Sequence, residues 1–352
     1  MYYFKTIYIY FLFLALTLFF FSTANVKAKS FQVKEIEISE PFKDMFDKNS
    51  VIDKGFQKAF KKLISLLVKS NDVIKIDNVQ LNEIKSMIES FTIQEEKFID
   101  QIYYLKLGVN FDKRKIYSYL EKLNIFPSQI KSETFLFIPL IINENTDSVI
   151  IFNSNPIYDL WNFEKSNNLI NFLLPTEDLE DFNLIKKNID NIEKYNFEQI
   201  IKKYFLDYSI ISIIFKNNNN INILSKIKIK DKEIILNNTF KNLDLENKKD
   251  LINFIKKLKI IYEDLWKKEN EINTSIKLPL LIKIDNKNLG ISSKIENIFK
   301  EIDLISFYSI KNFDKDFIYY EIIFNGTPQN FIKIMNDKDY NFDTQNKIWI
   351  LK

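Results

Sequence analysis

Histidine and cysteine are both missing from this 352-residue chain. Without imidazole there is no histidine general base and no histidine metal ligand. Without a thiol there is no thiolate nucleophile, no disulfide and no iron–sulfur ligand. Arginine occurs once, as Arg114. Its planar fork reads phosphates and guanines, so this scarcity argues against nucleic-acid recognition. Lysine nearly balances the acids, leaving a net charge of +3 and no field to steer nucleic acid to the surface. No D-x-D-x-D-G calcium loop occurs. The reading therefore expects no metal and no cofactor. The excess of Ile, Lys, Asn and Phe is read as mutational bias, with no function attached.

What is present begins at the N-terminus. Lys5 is the one charge before an uncharged run, Ile7 to Phe21, of sequence IYIYFLFLALTLFFF. Ser22, Thr23, Ala24 and then Val26-Lys27-Ala28 supply small residues suited to cleavage after Ala24 or Ala28. That order predicts a secretory signal over residues 1–28 and a periplasmic destination. The alternative is an uncleaved inner-membrane anchor, because Thr6 to Val26 just reaches the roughly 20 residues a bilayer requires. Removing 28 residues leaves about 324, enough for two or three domains.

Periodicity then predicts an α+β chain of several small mixed units. In the first, residues 30–126, Phe31 to Ser39 alternates as a half-buried strand. Val51 to Lys69 has one apolar stripe at helical spacing, with Lys54, Lys58, Lys61 and Lys62 mostly off it. A second helix is predicted near Leu81 to Ser90, a strand at Gln101 to Phe111 and a helix at Lys113 to Leu123. The second unit spans 133–272. Thr134 to Ile142 (TFLFIPLII) reads as a buried strand. Short strands follow at Ser148 to Phe152 and before Pro175. Phe197 to Phe205 reads as a helix, Tyr208 to Phe215 as a strand, and Ile221 to Ile229 with Lys232 to Leu236 as an antiparallel pair. Asp250 to Asn270 is a long amphipathic helix. The third unit, 274–352, orders its elements β-α-β-β-α-β, which is ferredoxin-like, plus a terminal strand.

Several segments together resemble one known family. They are FQVKEIEI, GFQKAFKKLISLL, NPIYDLWN, LLPTEDLEDFNLI and FEQIIKKYFLDYSIISIIF, closed by YEIIFNGTPQNFIKIMNDKDYNFDTQNKIWIL. The chain is similar in these to the proteobacterial exported family called domain of unknown function 2066. The shared pattern includes Pro175, Asp178 and Asp181, then Gly326, Phe331 with Ile334, and Trp349 with Leu351. The resemblance implies an envelope location and this architecture. It implies no catalytic residues.

Candidate sites are few. Glu177, Asp178, Glu180 and Asp181 lie together in PTEDLED. They suit a carboxylate pair for hydrolysis or hard oxygen ligands for a cation. The same run suits a helix start, with Asp178 or Asp181 as cap. Trp161, after Asn155-Pro156 in an expected loop, is the best recognition residue, whereas Trp266 belongs to the apolar face of its helix. Ser292-Ser293-Lys294 supplies a serine and a lysine, but adjacent helical side chains diverge. Gly326-Thr327-Pro328 reads as a helix cap rather than an anion loop. These residues favour a non-enzymatic binding or scaffold component of the envelope, with an envelope protein or peptide as partner. A carboxylate-dependent envelope hydrolase and a membrane-tethered adaptor are the alternatives.

Overall fold

A computed structural model of the chain describes residues 31–42, 46–162, 169–286 and 289–352. The predicted signal or anchor, 1–28, lies outside them. The chain is α+β, with helices combined with several small sheets. The described residues fold as two units. One comprises 33–109 and 115–275; the other comprises 31–32, 110–114 and 276–352.

In the larger unit, a three-stranded sheet has the order β1 (Phe31–Pro41), β3 (Ile102–Phe111), β2 (Ile88–Ile99). Helix α1 (Lys48–Leu67) buries Val51, Phe56, Ala59, Phe60, Leu63, Ile64 and Leu67, the stripe its spacing predicts. Asp47 starts it by accepting from the amides of Asn49 and Ser50. A short helix α2 (Ser70–Val73) follows, then α3 (Leu81–Met87). The helix expected to reach Ser90 therefore stops at Met87, and twelve residues of strand β2 begin at Ile88. Nearly all of β2 is exposed. Its sequence, IESFTIQEEKFI, therefore shows no buried face for alternation to reveal. Asp100 and Gln101 turn β2 into β3 with positive φ at both positions. Helix α4 (Lys113–Lys122) comes next.

The second sheet of this unit runs β5 (Ser148–Ile150), β4 (Glu133–Asn143), β7 (Tyr208–Asn217), β8 (Asn220–Ile229), β9 (Lys232–Phe240). Strand β6 (Ile170–Leu173) pairs with β4 on the same side as β5. Strands β6, β4 and β7 are parallel; β8 and β9 continue antiparallel. Strand β4 is buried on both faces, which is why it reads as an unbroken apolar run. One face is covered by α5 (Pro156–Trp161) and α8 (Lys248–Glu269). The other is covered by α6 (Leu179–Lys187) and α7 (Glu198–Lys202).

Helix α8 also meets α1. Lys267 Nζ donates to the carbonyls of Ser65, at 2.7 Å, and Val68, at 3.0 Å. A cation thus closes the C-terminal end of α1, where the last carbonyls have no helical partner.

In the smaller unit, β10 (Leu278–Asp285), α9 (Leu289–Glu301), β11 (Ile305–Phe313), β12 (Phe317–Phe324), α10 (Pro328–Asn336), β13 (Phe342–Asp343) and β14 (Ile348–Leu351) follow in order. Their sheet order is β11-β12-β10-β14-β13. The terminal strand does not extend the edge. It enters parallel to β10 and displaces its hairpin partner β13 outward. Thr327 caps α10, accepting from the Asn330 amide at 3.3 Å, with Pro328 at the first helical position.

Candidate functional site

The chain leaves β4, reaches β6 on one side of it, then crosses to β7 on the other. The first connection carries α5 on one sheet face; the second carries α6 and α7 on the opposite face. Strand β4 is therefore a topological switch point, and open α/β sheets take ligands outside the carboxyl ends of strands at such points. Strand β6 ends level with Leu136, while β5 pairs only from Ile141 onward. Along this edge, β4 has no strand partner from Phe137 to Leu140 among the described residues.

Asn155 occupies that gap. It is fully buried. Its Nδ2 donates to the Pro139 carbonyl at 3.1 Å, and its Oδ1 accepts from the Ile157 amide at 3.0 Å. One side chain thus bonds the open strand edge and caps α5, whose first residue is Pro156.

The acidic run follows the carboxyl end of β6, and four of its side chains have different fates. Glu177 Oε2 accepts from Asn153 Nδ2 at 2.6 Å, tying this loop to the one before α5. Asp178 is the N-cap of α6: Oδ1 accepts from the amides of Glu180, at 2.8 Å, and Asp181, at 3.2 Å. Its Oδ2 accepts from Lys203 Nζ at 3.0 Å. Asp181 is fully buried and accepts from the same Nζ at 2.7 Å. Its second oxygen has no hydrogen-bond partner among the described residues. Glu180 lies 3.9 Å from Lys203 and stays largely exposed.

The electrostatics follow from this geometry. The Lys203 hydrogen bond, reinforced by the two backbone amides, holds the Asp178 carboxyl below its usual range. The two aspartates raise Lys203 in turn, Asp181 most. Nearby, Tyr204 Oη accepts from the Thr176 amide at 2.9 Å. The Tyr158 hydroxyl is buried without a partner among the described residues, and burial pushes its pKa far upward.

Trp161 is placed elsewhere. It ends α5 rather than lying in a loop, and its side chain is 0% exposed. Its ring stacks on Phe137 with centroids 4.0 Å apart and meets Phe172 edge-on. The expectation of an open recognition residue is thereby corrected: the aromatic face is spent on the core beneath α8.

The acids of this single run are joined by a cation from another segment, Lys203. Nothing in FEQIIKKYF distinguishes that lysine from its neighbour Lys202. Asn155 did carry a signal, because Asn followed by Pro marks a helix start. No group of three or more acids able to hold a metal occurs among the described residues. No described helix is long and apolar enough to cross a membrane.

A separate groove of about 370 Å³ lies between the 194–198 turn and β8. Its Lys226 donates to the Tyr195 carbonyl at 3.1 Å, and its Lys228 bonds Glu198. These cations serve as struts between turn and sheet.

No family model matches the chain, and no curated protein matches it.

Proposed function

We propose that this chain is an exported component of the cell envelope, allied to the family it resembles, that works by binding a protein or peptide. One observation carries the reading. The carboxylates at the switch point are already engaged, Asp178 by two amides and a lysine and Asp181 by that same lysine. A hydrolase requires a carboxyl free to take or give a proton at a substrate. Asp178, held ionised by three donors, is poorly suited to that work.

Large apolar side chains stand open beside this anchored cluster. Leu179, next to Asp178, is 75% exposed, and Phe205, two residues after Lys203, is 95% exposed. Phe205 also adopts a positive φ of 53°, a costly conformation for an aromatic residue. Exposed aromatics on a rigid base are the usual anchors of a protein interface.

The test is a photocrosslinking residue placed at Leu179, at Phe205 and, as control, at exposed Ile74 in intact cells. The reading expects one envelope protein captured at the first two positions and not at the third. Fractionation should place the chain in the periplasm, and a mature mass that retains Met1 to Phe21 would make it membrane-tethered. A folded chain found in the cytosol would sink the proposal.

A further inference from the structure

Unpaired sheet edges invite other strands, and most edges of this protein are blunted. Strand β1 carries Glu35 at a φ of 57° and ends in Pro41. Strand β11 shifts register twice, between Ile305 and Phe307 and between Ile310 and Asn312. Strands β5 and β13 have three and two residues. Strand β2 is long but carries Glu89, Glu95, Glu96 and Lys97.

Strand β9 has none of these devices beyond the charges of its first two residues, Lys232 and Glu233. It pairs with β8 in unbroken register from Ile229↔Lys232 to Ile221↔Phe240. From Ile234 to Phe240 it carries no charge. Its outer edge has no partner strand among the described residues. The two-residue turn Lys230-Asp231 closes on Ile229↔Lys232, so the even-numbered residues of β9 bond β8. The odd-numbered residues, Glu233, Ile235, Asn237 and Thr239, point their N–H and C=O groups outward. Ile235 is also 58% exposed.

We propose that a second copy of this chain pairs antiparallel along β9, about a two-fold axis through Ile235. Register decides the occupant. Centred on Ile235, the pairing sets Ile235 against its own mate and Ile234 against Leu236 of the second copy. Apolar groups then meet on both faces. Asp231 comes diagonal to Lys241 of the second copy, giving two opposite-charge pairs by symmetry. Lys232 of the second copy stands opposite Asn238, whose Oδ1 is buried without a partner in the single chain among the described residues. Centred on Leu236, Asp231 would face Lys241 directly, but Ile235 would face Asn237 and Ile234 would face Asn238. Centred on Ile234, Ile235 would face Glu233 and Leu236 would face Lys232. Moving the axis by one residue in either direction, a two-residue slip of register, therefore loses the Ile235–Ile235 and Ile234–Leu236 matches.

The absence of cysteine makes the test clean. Ile235→Cys and Asn237→Cys are each made in the full chain and oxidised under mild conditions. The pairing expects rapid dimer crosslinking at 235, where mates are directly opposite, and little at 237, whose mate lies four residues away. Light scattering should give twice the chain mass, and Ile235→Lys should return a single mass with the near-ultraviolet circular dichroism unchanged. A single mass for the unmodified chain at micromolar concentration overturns the proposal, since β9 would then await a different strand. Crosslinking at 237 as fast as at 235 overturns the register. Ile235→Lys that stays dimeric places the interface elsewhere and also overturns it.

Discussion

Pro139 stands in the middle of a buried strand, and Asn155 makes that position workable. Proline lacks the amide a central strand needs, so it is normally kept to edges. A strand residue points its N and C=O to the same side. The Pro139 carbonyl bonds Asn155 at 3.1 Å, so its nitrogen faces the gap between β6 and β5, where no amide is required. Asn155→Ala leaves that carbonyl unbonded and uncaps α5. The expected loss is roughly 2–4 kcal/mol, about 1–3 for the orphaned carbonyl and about 1 for the cap. Asn155→Asp keeps the acceptor for Ile157 but loses the donor to Pro139, so it should not restore full stability. Urea unfolding of the three proteins checks this order.

Lys203 couples two aspartates that differ in burial, and this gives a second prediction. Among the described residues, Lys203 is the cation that bonds the buried Asp181, and Lys203→Met removes it. An unpaired buried charge costs far more than an exposed one. The melting temperature should fall by several degrees, and Asp181→Asn in the same chain should recover much of the loss. Asp178→Asn alone should do less, because Asn still caps a helix. Its chief effect should appear in acid. The folded Asp178 titrates below the usual 3.8, so its contribution is present above that value and is lost as pH falls through the folded pKa. Asp178→Asn should flatten that acid limb; an unchanged limb would assign it to other carboxylates.

How much of this was legible follows from what each signal depends on. Elements that bury one stripe or both faces announced themselves: α1, α8 and β4 lie where their apolar spacing put them. Asp178 declared a cap, because capping depends on a local bond two or three residues ahead. Strand β2 was hidden, since an exposed strand has no buried face to alternate. Lys203 was hidden because its partners lie 22 and 25 residues away, a distance only the fold closes. Glycine offered little guidance to turns. The chain has four, and among described residues none has positive φ; Asn124, Asp147, Asn218, Asn242 and Asp339 take that role.

Trp161 misled because Asn-Pro marks both loops and helix starts, and only packing separates them. Its burial makes a third prediction. Trp161→Ala should cost about 3–5 kcal/mol, as for other large aromatics removed from cores. Trp161→Phe should cost less by keeping part of the stack on Phe137. A Trp161→Ala protein with unchanged unfolding midpoint would return the ring to the surface.

Glu263 supplies the last prediction, from a buried carboxylate on α8. Only 7% exposed, it accepts from the Ile170 amide at 2.9 Å and so fixes the start of β6. Burial raises its pKa, opposed by the amides of Ile170 and Leu169 and by Lys267. A raised carboxyl pKa means the folded state binds the proton more tightly than the unfolded one. Its favourable contribution is therefore present below the usual 4.5 and is lost as pH rises through the folded value. At neutral pH the ion is a cost. Glu263→Gln keeps an acceptor for Ile170 and removes that charge, so the variant should be more stable than the parent at pH 7, by about 1 kcal/mol or less. The difference should shrink through the window between the raised value and 4.5 and vanish below it. A gap that stays constant across that window would show the carboxylate's charge to be fully compensated by Lys267 and the two amides.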